Sequence, residues 1–362
     1  MGRKKKTVEE VKSQMTSRPI IKEGKWLSSG STLLNLACTD HPDRAFKTGH
    51  YYFLVGDSDS GKSFLSLTCL AEASVCPDFD EYEFVYDNVE GGVQMDLEYL
   101  FGSRMADRIR SPINGMSSTV DGFFVNIDKE VKSGKPFIYV LDSMDALSSY
   151  KEQSEFDKNA DLFDEGKGPK GSYGDGKARQ NSAGLRRAIS GLAETGSILI
   201  IISQTRDVIP TMPMRGKPKS FSGGHALRFY ASLILWSKPI STIERKARGV
   251  VRNIGTKVSV EIKKNRTTGA KRHVDLDIIN SHGLDDLGSM IDFLVETTYW
   301  EKETSGGTIK TVGFHNLKGR KESIISTIEE KGKEEELKKL VVKIWNEIET
   351  ECKVKRKSKY GE

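Results

Sequence analysis

Gly56-Asp57-Ser58-Asp59-Ser60-Gly61-Lys62-Ser63, directly after the apolar run Tyr51-Tyr52-Phe53-Leu54-Val55, is the stretch on which the reading of this chain turns. The octet satisfies G-x-x-x-x-G-K-[ST], a strand-to-helix turn whose backbone N–H groups converge on one anion. Gly56 and Gly61 let the main chain curl, and a helix from Ser63 to about Val75, with Phe64 in its first turn, adds its positive end. Residues 56–64 are therefore expected to cradle a nucleotide triphosphate, with Lys62 on the β- and γ-phosphates and Ser63 on Mg²⁺. A Gly/Ser-rich surface turn is the plainer alternative, and the strand before and helix after argue against it.

The remaining chemistry should come from the carboxyl ends of other buried strands, since a sheet built around such a turn is parallel and binds ligand there. Phe137-Ile138-Tyr139-Val140-Leu141 ends in Asp142, a carboxylate placed to orient the metal; an N-cap for the next helix is the competing role. Glu83-Phe84-Val85-Tyr86-Asp87 leads to Glu90, a candidate base for the attacking water. Ser197 to Ile202 is a third buried strand and delivers Ser203-Gln204-Thr205-Arg206, where the Gln204 amide can sense a γ-phosphate. Further on, Val258-Ser259-Val260-Glu261-Ile262-Lys263-Lys264-Asn265-Arg266 alternates as a strand and ends in paired cations; an edge strand protected by Lys is the plainer reading.

Over roughly Ser29 to Asp286 these residues resemble the RecA-type recombinases. Val140-Leu141-Asp142-Ser143-Met144-Asp145-Ala146-Leu147 is similar to the family's Walker B strand, and Ile201 to Arg206 to the segment that opens its second DNA-binding loop. Ser222-Gly223-Gly224-His225-Ala226-Leu227-Arg228-Phe229-Tyr230-Ala231-Ser232 resembles the stretch that closes that loop, and Ser29 to Ala37 the start of the core. The resemblance implies an α/β fold: a RecA-like P-loop ATPase core with a mostly parallel central sheet flanked by helices, plus a small C-terminal α+β domain. It implies ATP and Mg²⁺ as cofactors. It also implies that Lys264 and Arg266 reach the γ-phosphate held by a neighbouring subunit.

Departures from bacterial RecA point toward the phage-encoded members. Asp87-Asn88-Val89-Glu90 is one residue longer than the usual Asp-x-Glu, so Asp87 stands beside Glu90 as the alternative catalytic carboxylate. The N-terminal arm is short and the C-terminal end is basic.

Residues 205–224 form a long stretch with Pro210, Pro213 and Pro218 and no periodicity, of a kind that compact domains seldom carry without a use. Arg206, Arg215, Lys217 and Lys219 are interleaved there with Ile209, Met212, Met214 and Phe221, so cations can follow phosphates while apolar side chains stack or wedge between bases, with Gly223 and Gly224 closing the loop. Residues 150–182 open acidic, from Glu152 to Glu165, then turn Gly-rich and basic through Lys170, Lys177 and Arg179. Their position is that of the family's first DNA loop, and their low apolar content predicts disorder without DNA. A solvated insertion is the alternative, and the acidic half would repel a phosphate backbone.

At 362 residues and a net charge of +5, general basicity does not by itself argue for nucleic acid. Cys38, Cys69, Cys76 and Cys352 form no C-x-x-C pair and the six His are scattered, which argues against disulfides and a zinc site. No apolar stretch reaches the roughly 18 residues of a membrane span and the Arg3-Lys4-Lys5-Lys6 start lacks a signal peptide's apolar core, so a cytoplasmic location in a bacterial or phage-infected cell is expected.

The domain reading is a basic arm at 1–28, an ATPase core at 29–282, a small domain at 283–350 and a basic tail at 351–362. In the small domain a helix from about Leu287 to Thr297, a hairpin around Gly306-Gly307 and two further helices are expected. The last of these carries the stripe Leu337, Leu340, Val341, Ile344, Trp345 and Ile348. The expected function is an ATP-dependent recombinase that forms helical filaments of itself on single-stranded DNA and pairs it with double-stranded DNA. A single-strand-binding protein and a loading mediator are further candidate partners, and no membrane is involved. The alternatives are a hexameric helicase of the same fold and a recombination mediator with weak ATPase.

Overall fold

A computed structural model of the chain describes residues 24–149, 152, 154, 176–207, 219–221, 224–303 and 307–356. Its centre is a sheet of ten strands. The strands in chain order are β3 (His50–Gly56), β4 (Glu83–Asn88), β5 (Ile109–Arg110), β6 (Phe137–Asp142), β7 (Ile198–Asp207), β8 (Lys219–Phe221), β9 (Leu233–Ala247), β10 (Val250–Asn265), β11 (His273–Ile279) and β12 (Gly283–Asp285), while β1 (Trp26–Leu27) and β2 (Phe46–Lys47) pair apart from it. The spatial order is β12-β11-β10-β9-β3-β7-β6-β4-β5, with β8 paired to β7. From β9 to β5 every pairing is parallel, and β9 through β12 are antiparallel. The expected mostly parallel sheet is therefore present, extended by an antiparallel wing.

The parallel strands read as unbroken apolar runs because both faces are covered. Alternation along β3 sends Tyr51, Phe53 and Val55 to one apolar layer and Tyr52 and Leu54 to the other. The first layer packs under α5 (Val120–Lys132) and α6 (Gly176–Thr195), which supply Phe123, Ile127, Leu185 and Leu192. The second lies under α1 (Thr32–Thr39) and α2 (Lys62–Val75), with Leu34, Leu36, Leu67 and Leu70 buried. Two short helices, α3 (Leu97–Phe101) and α4 (Ser103–Ala106), lead into β5, and α7 (His225–Tyr230) leads into β9.

Beyond β12 come α8 (Asp286–Glu296), a three-stranded antiparallel sheet of β13 (Glu301–Lys302), β14 (Ile309–Lys310) and β15 (Lys318–Gly319), then α9 (Lys321–Glu330) and α10 (Glu334–Glu351). The α10 stripe turns inward: Leu337, Val341, Ile344 and Trp345 are buried and join the same apolar cluster as α1 and α2. Arg272 ties α10 to the core, bonding Glu349 at 2.6 Å and Asp40 at 2.8 Å with its guanidinium over Trp345. Lys257 to Asp292 at 2.5 Å and Lys321 to Asp277 at 2.6 Å link α8 and α9 to β10 and β11.

Two expectations about loops are corrected. Residues 205–207 continue β7 and 219–221 form β8, registered Thr205 to Phe221 and Asp207 to Lys219, so the ends of the 205–224 stretch are a ladder. Three residues on each strand are too few to show a period. Residues 176–182, placed in the 150–182 loop, are the first turns of α6. Those turns are low in apolar residues because much of their surface faces solvent, although Asn181 is fully buried.

Candidate active site

The chain leaves β3 at Gly56 and enters α2 at Lys62. Gly56 is required by space and Gly61 by its backbone conformation. A Cβ on Gly56 would lie 2.2 Å from the Ser237 carbonyl oxygen, and Gly61, at φ +76°, would put one 2.3 Å from Ile278. Within the turn Lys62 Nζ donates to the Asp57 carbonyl at 2.5 Å and to Ser60 Oγ at 3.3 Å. Ser60 Oγ donates to the same carbonyl at 2.7 Å, and its own carbonyl accepts from Ser237 Oγ. Ser58 and Asp59 are exposed. Burial lowers the Lys62 pKa, and Asp142, Glu90, Asp57 and Asp145 pull it back up. Lys62 is thus a buried cation whose charged form four carboxylates in its neighbourhood favour.

Asp142 ends β6 nearly buried, and the Tyr86 hydroxyl donates to its Oδ2 at 2.7 Å. Burial and then Asp142 drive the pKa of that phenol far upward, while the Ser66 and Ser63 hydroxyls pull it the other way. The Ser63 hydroxyl and the Asp142 carboxylate therefore both lie near Tyr86. Two hard oxygen donors fit Mg²⁺, which takes one or two protein ligands and completes its shell with water and phosphate. Among the described residues no cluster of three His, Cys, Asp or Glu could hold a metal alone. Phe64 packs its ring on Phe101 at 4.9 Å between centroids, leaving its main chain in the first turn of α2 as what it can offer a phosphate.

The two candidate carboxylates separate by burial. Asp87 is fully buried and accepts from Ser117 N at 2.9 Å, Ser117 Oγ at 2.5 Å and Tyr139 OH at 2.6 Å. Glu90 is exposed beside Asp142, donating its N–H to the Asp142 carbonyl at 3.2 Å and accepting from Ser143 Oγ. Gln204 Nε2 donates to both Glu90 oxygens, at 3.0 and 3.2 Å. Two further residues, not singled out from the sequence, position this end of β7. Asp145 Oδ2 accepts from Ser203 Oγ and from Gln204 N, each at 2.7 Å, and Thr205 Oγ1 donates to Asp57 Oδ1. Asp145 lies three residues past Asp142, a spacing that could have flagged it. Nothing in the sequence pairs residues 57 and 205.

Lys264 and Arg266 are not at this cluster. Asn265 is in register with Leu233, which is in register with Tyr52, whereas Gly56 is level with Ser237. Four strand positions are about 13 Å, so the cations sit at the opposite edge of the sheet from the phosphate turn. There Lys264 Nζ donates to the carbonyls of Arg228 and Phe229 at 2.8 and 2.7 Å, and Arg266 donates to Phe229 O at 2.7 Å. Burial, then Arg266 and Arg228, holds the Lys264 pKa down to about 8.

Of the expected DNA-loop residues, Lys177 lies on α6, 3.5 Å from Glu152, with Arg179 exposed one half-turn on. Gly224, at φ +79°, would clash through a Cβ with Ala178 at 2.7 Å, so the far end of one loop meets the far end of the other. Arg206, Lys219 and Phe221 stand on the β7–β8 ladder. Lys170, Arg215, Lys217 and Gly223 lie outside the described residues. No helix among the described residues is long and apolar enough to cross a membrane.

A family profile for the RecA N-terminal domain matches residues 16–285. The chain is similar to proteins named Protein RecA from Chlorobaculum parvum (28% identical, covering 75% of this chain and 70% of that one) and Cytophaga hutchinsonii (28%, covering 68% and 63%). The corresponding protein of Nostoc punctiforme is 26% identical over 87% of this chain and 79% of its own.

Proposed function

The chain belongs to the RecA family, and from that membership we propose an ATP-dependent DNA recombinase that assembles as a filament on single-stranded DNA and promotes homologous pairing and strand exchange. The observation that carries the reading is the bridge from Glu90 through Gln204 into β7. It joins the carboxylate beside the phosphate turn to the hairpin proposed to hold DNA.

When ATP arrives, the Lys62 ammonium exchanges the Asp57 carbonyl for the phosphates, while the main-chain N–H groups of 56–64 face the anion. Ser63 and Asp142 would hold Mg²⁺, which neutralises charge on the transferring phosphoryl group. Glu90 orients the attacking water and accepts its proton. Gln204, bonded to Glu90, is displaced when a γ-phosphate and water occupy the space between them, and the strand it sits on leads directly to Arg206. Lys264 and Arg266 lie too far from their own phosphate turn to complete the site and serve the turn of a neighbour. DNA contacts are proposed at Arg206, Arg215, Lys217, Lys219 and Phe221 on one segment and Lys170, Lys177 and Arg179 on the other.

Electron microscopy with single-stranded DNA and a non-hydrolysable ATP analogue tests the assembly. Open helical filaments are expected, and closed rings would move the chain to the helicase class. Steady-state hydrolysis should rise with single-stranded DNA; rates indifferent to DNA would leave a mediator.

A further inference from the structure

The two longest strands of the sheet run well past their neighbours. β3 pairs with β9 only over Leu233–Ser237, and β11 pairs with β10 only over Gly255–Glu261. The rest of the hairpin has only itself, with Glu244 opposite Asn253, Arg245 opposite Arg252, Lys246 opposite Val251 and Ala247 opposite Val250. Arg248 at φ +49° and Gly249 at φ +83° close it, the two left-handed residues of a tight hairpin turn. Residues 244–253 are all exposed, an arm of five residues a side and about 17 Å.

Its charge is unusual for a self-sufficient element. Arg245, Lys246, Arg248 and Arg252 face one acid, Glu244, and none of the four forms an ion pair with a described residue. Arg245 directly opposite Arg252 is a like-charge cross-strand pair, which costs stability in the free chain and is relieved when an anion lies across it. Arg245 also lines a cleft that Glu322 and Glu329 of α9 line, so Lys246, Arg248 and Arg252 are the cleaner probes.

We propose that this arm is a duplex DNA contact, the ribbon entering the major groove with its cations on the phosphates of the walls. The inference rests on the DNA-acting function above and adds a site separate from the segments placed at 150–182 and 205–224. A two-stranded ribbon fits a groove about 12 Å wide. Duplex is favoured over single strand because residues 238–254 contain no Phe, Tyr or Trp on which bases could stack, whereas Val250 and Val251, 47% and 50% exposed, offer methyl groups to base edges.

The test is the full-length triple variant Lys246→Ser, Arg248→Asn, Arg252→Ser. Asn-Gly keeps the turn geometry, so the ribbon stays folded. Duplex affinity is measured across salt concentrations, alongside single-stranded DNA-stimulated ATP hydrolysis. The slope of log affinity against log salt should fall by about one for each phosphate no longer neutralised, about three in all, while the stimulated hydrolysis is retained. A variant that binds duplex with the parental affinity and slope overturns the proposal. So does one that merely self-associates, since the cations would then only guard the free edges. If the parent binds neither form of DNA, the functional reading has failed instead, and the two failures are told apart by the parent alone.

Discussion

The two edges of the central sheet carry opposite charge. At the carboxyl edge a buried Lys62 lies in the field of Asp142, Glu90, Asp57 and Asp145, an excess of negative charge among the described residues. At the other edge Arg228, Lys264 and Arg266 stand together, and the last two donate to main-chain carbonyls of α7. An anion of several charges is under-supported at the first edge alone, and crowded cations are costly at the second. On the proposed reading the subunit is chemically incomplete, and head-to-tail contact between copies would satisfy both edges at once.

The strongest way to break this contrast is to disable each edge in a different subunit. Lys62→Ala and Arg266→Ala should each lower DNA-stimulated hydrolysis by about 10³-fold or more. Mixed in equal amounts they should recover about a quarter of the parental rate, because one junction in four pairs an intact turn with an intact cation. Recovery no greater than the sum of the two variants would place the whole site within one chain.

A titration sharpens it with a smaller effect. Lys264, its pKa held near 8, is charged below that pH and neutral above it. If it meets a neighbour's phosphate, assembly must take up a proton above pH 8, and the protein concentration needed for filaments should rise by up to about ten-fold per pH unit, measured by light scattering. Lys264→Arg should flatten the profile. Fold stability moves the other way: a lysine whose folded pKa lies below its unfolded one penalises the fold at low pH, and the penalty fades as pH rises from 8 toward 10.5. Assembly and stability sharing one sign of pH dependence would remove Lys264 from the contact.

How far the sequence announces these edges depends on what kind of signal each leaves. β3, β6 and the start of β7 are legible because burial on both faces demands continuous apolar runs. β8 and the far half of β7 are not, since a three-residue ladder exists only once the chain has folded back to present a partner. At the carboxyl edge, Lys62 and Ser63 stand out through fixed spacing, and Asp142 through its place at the end of an apolar run. Asp87 and Glu90 offer the same chemistry three residues apart, and only the third dimension separates them, with Tyr139 and Ser117 consuming one carboxylate and Gln204 facing the other. Tyr86 and Thr205 hold the site through contacts that no local pattern encodes, and Asp145 is signalled only by its spacing from Asp142.

Thr205 gives the finest test, because it asks whether the phosphate edge speaks to the β7–β8 hairpin through one link or two. Gln204 is bonded to Glu90 and its neighbour Thr205 to Asp57, so the hairpin's first strand touches both the proposed base and the turn whose carbonyl holds Lys62. Thr205→Val keeps the shape and the strand propensity while deleting one hydrogen bond worth about 0.5–1.5 kcal/mol. Nucleotide affinity measured with and without single-stranded DNA should then show a coupling ratio reduced roughly two- to ten-fold, with thermal stability little changed. A purely structural contact would shift both affinities together and leave their ratio untouched. In that case Gln204 rather than Thr205 would carry the communication between the carboxyl edge and the hairpin.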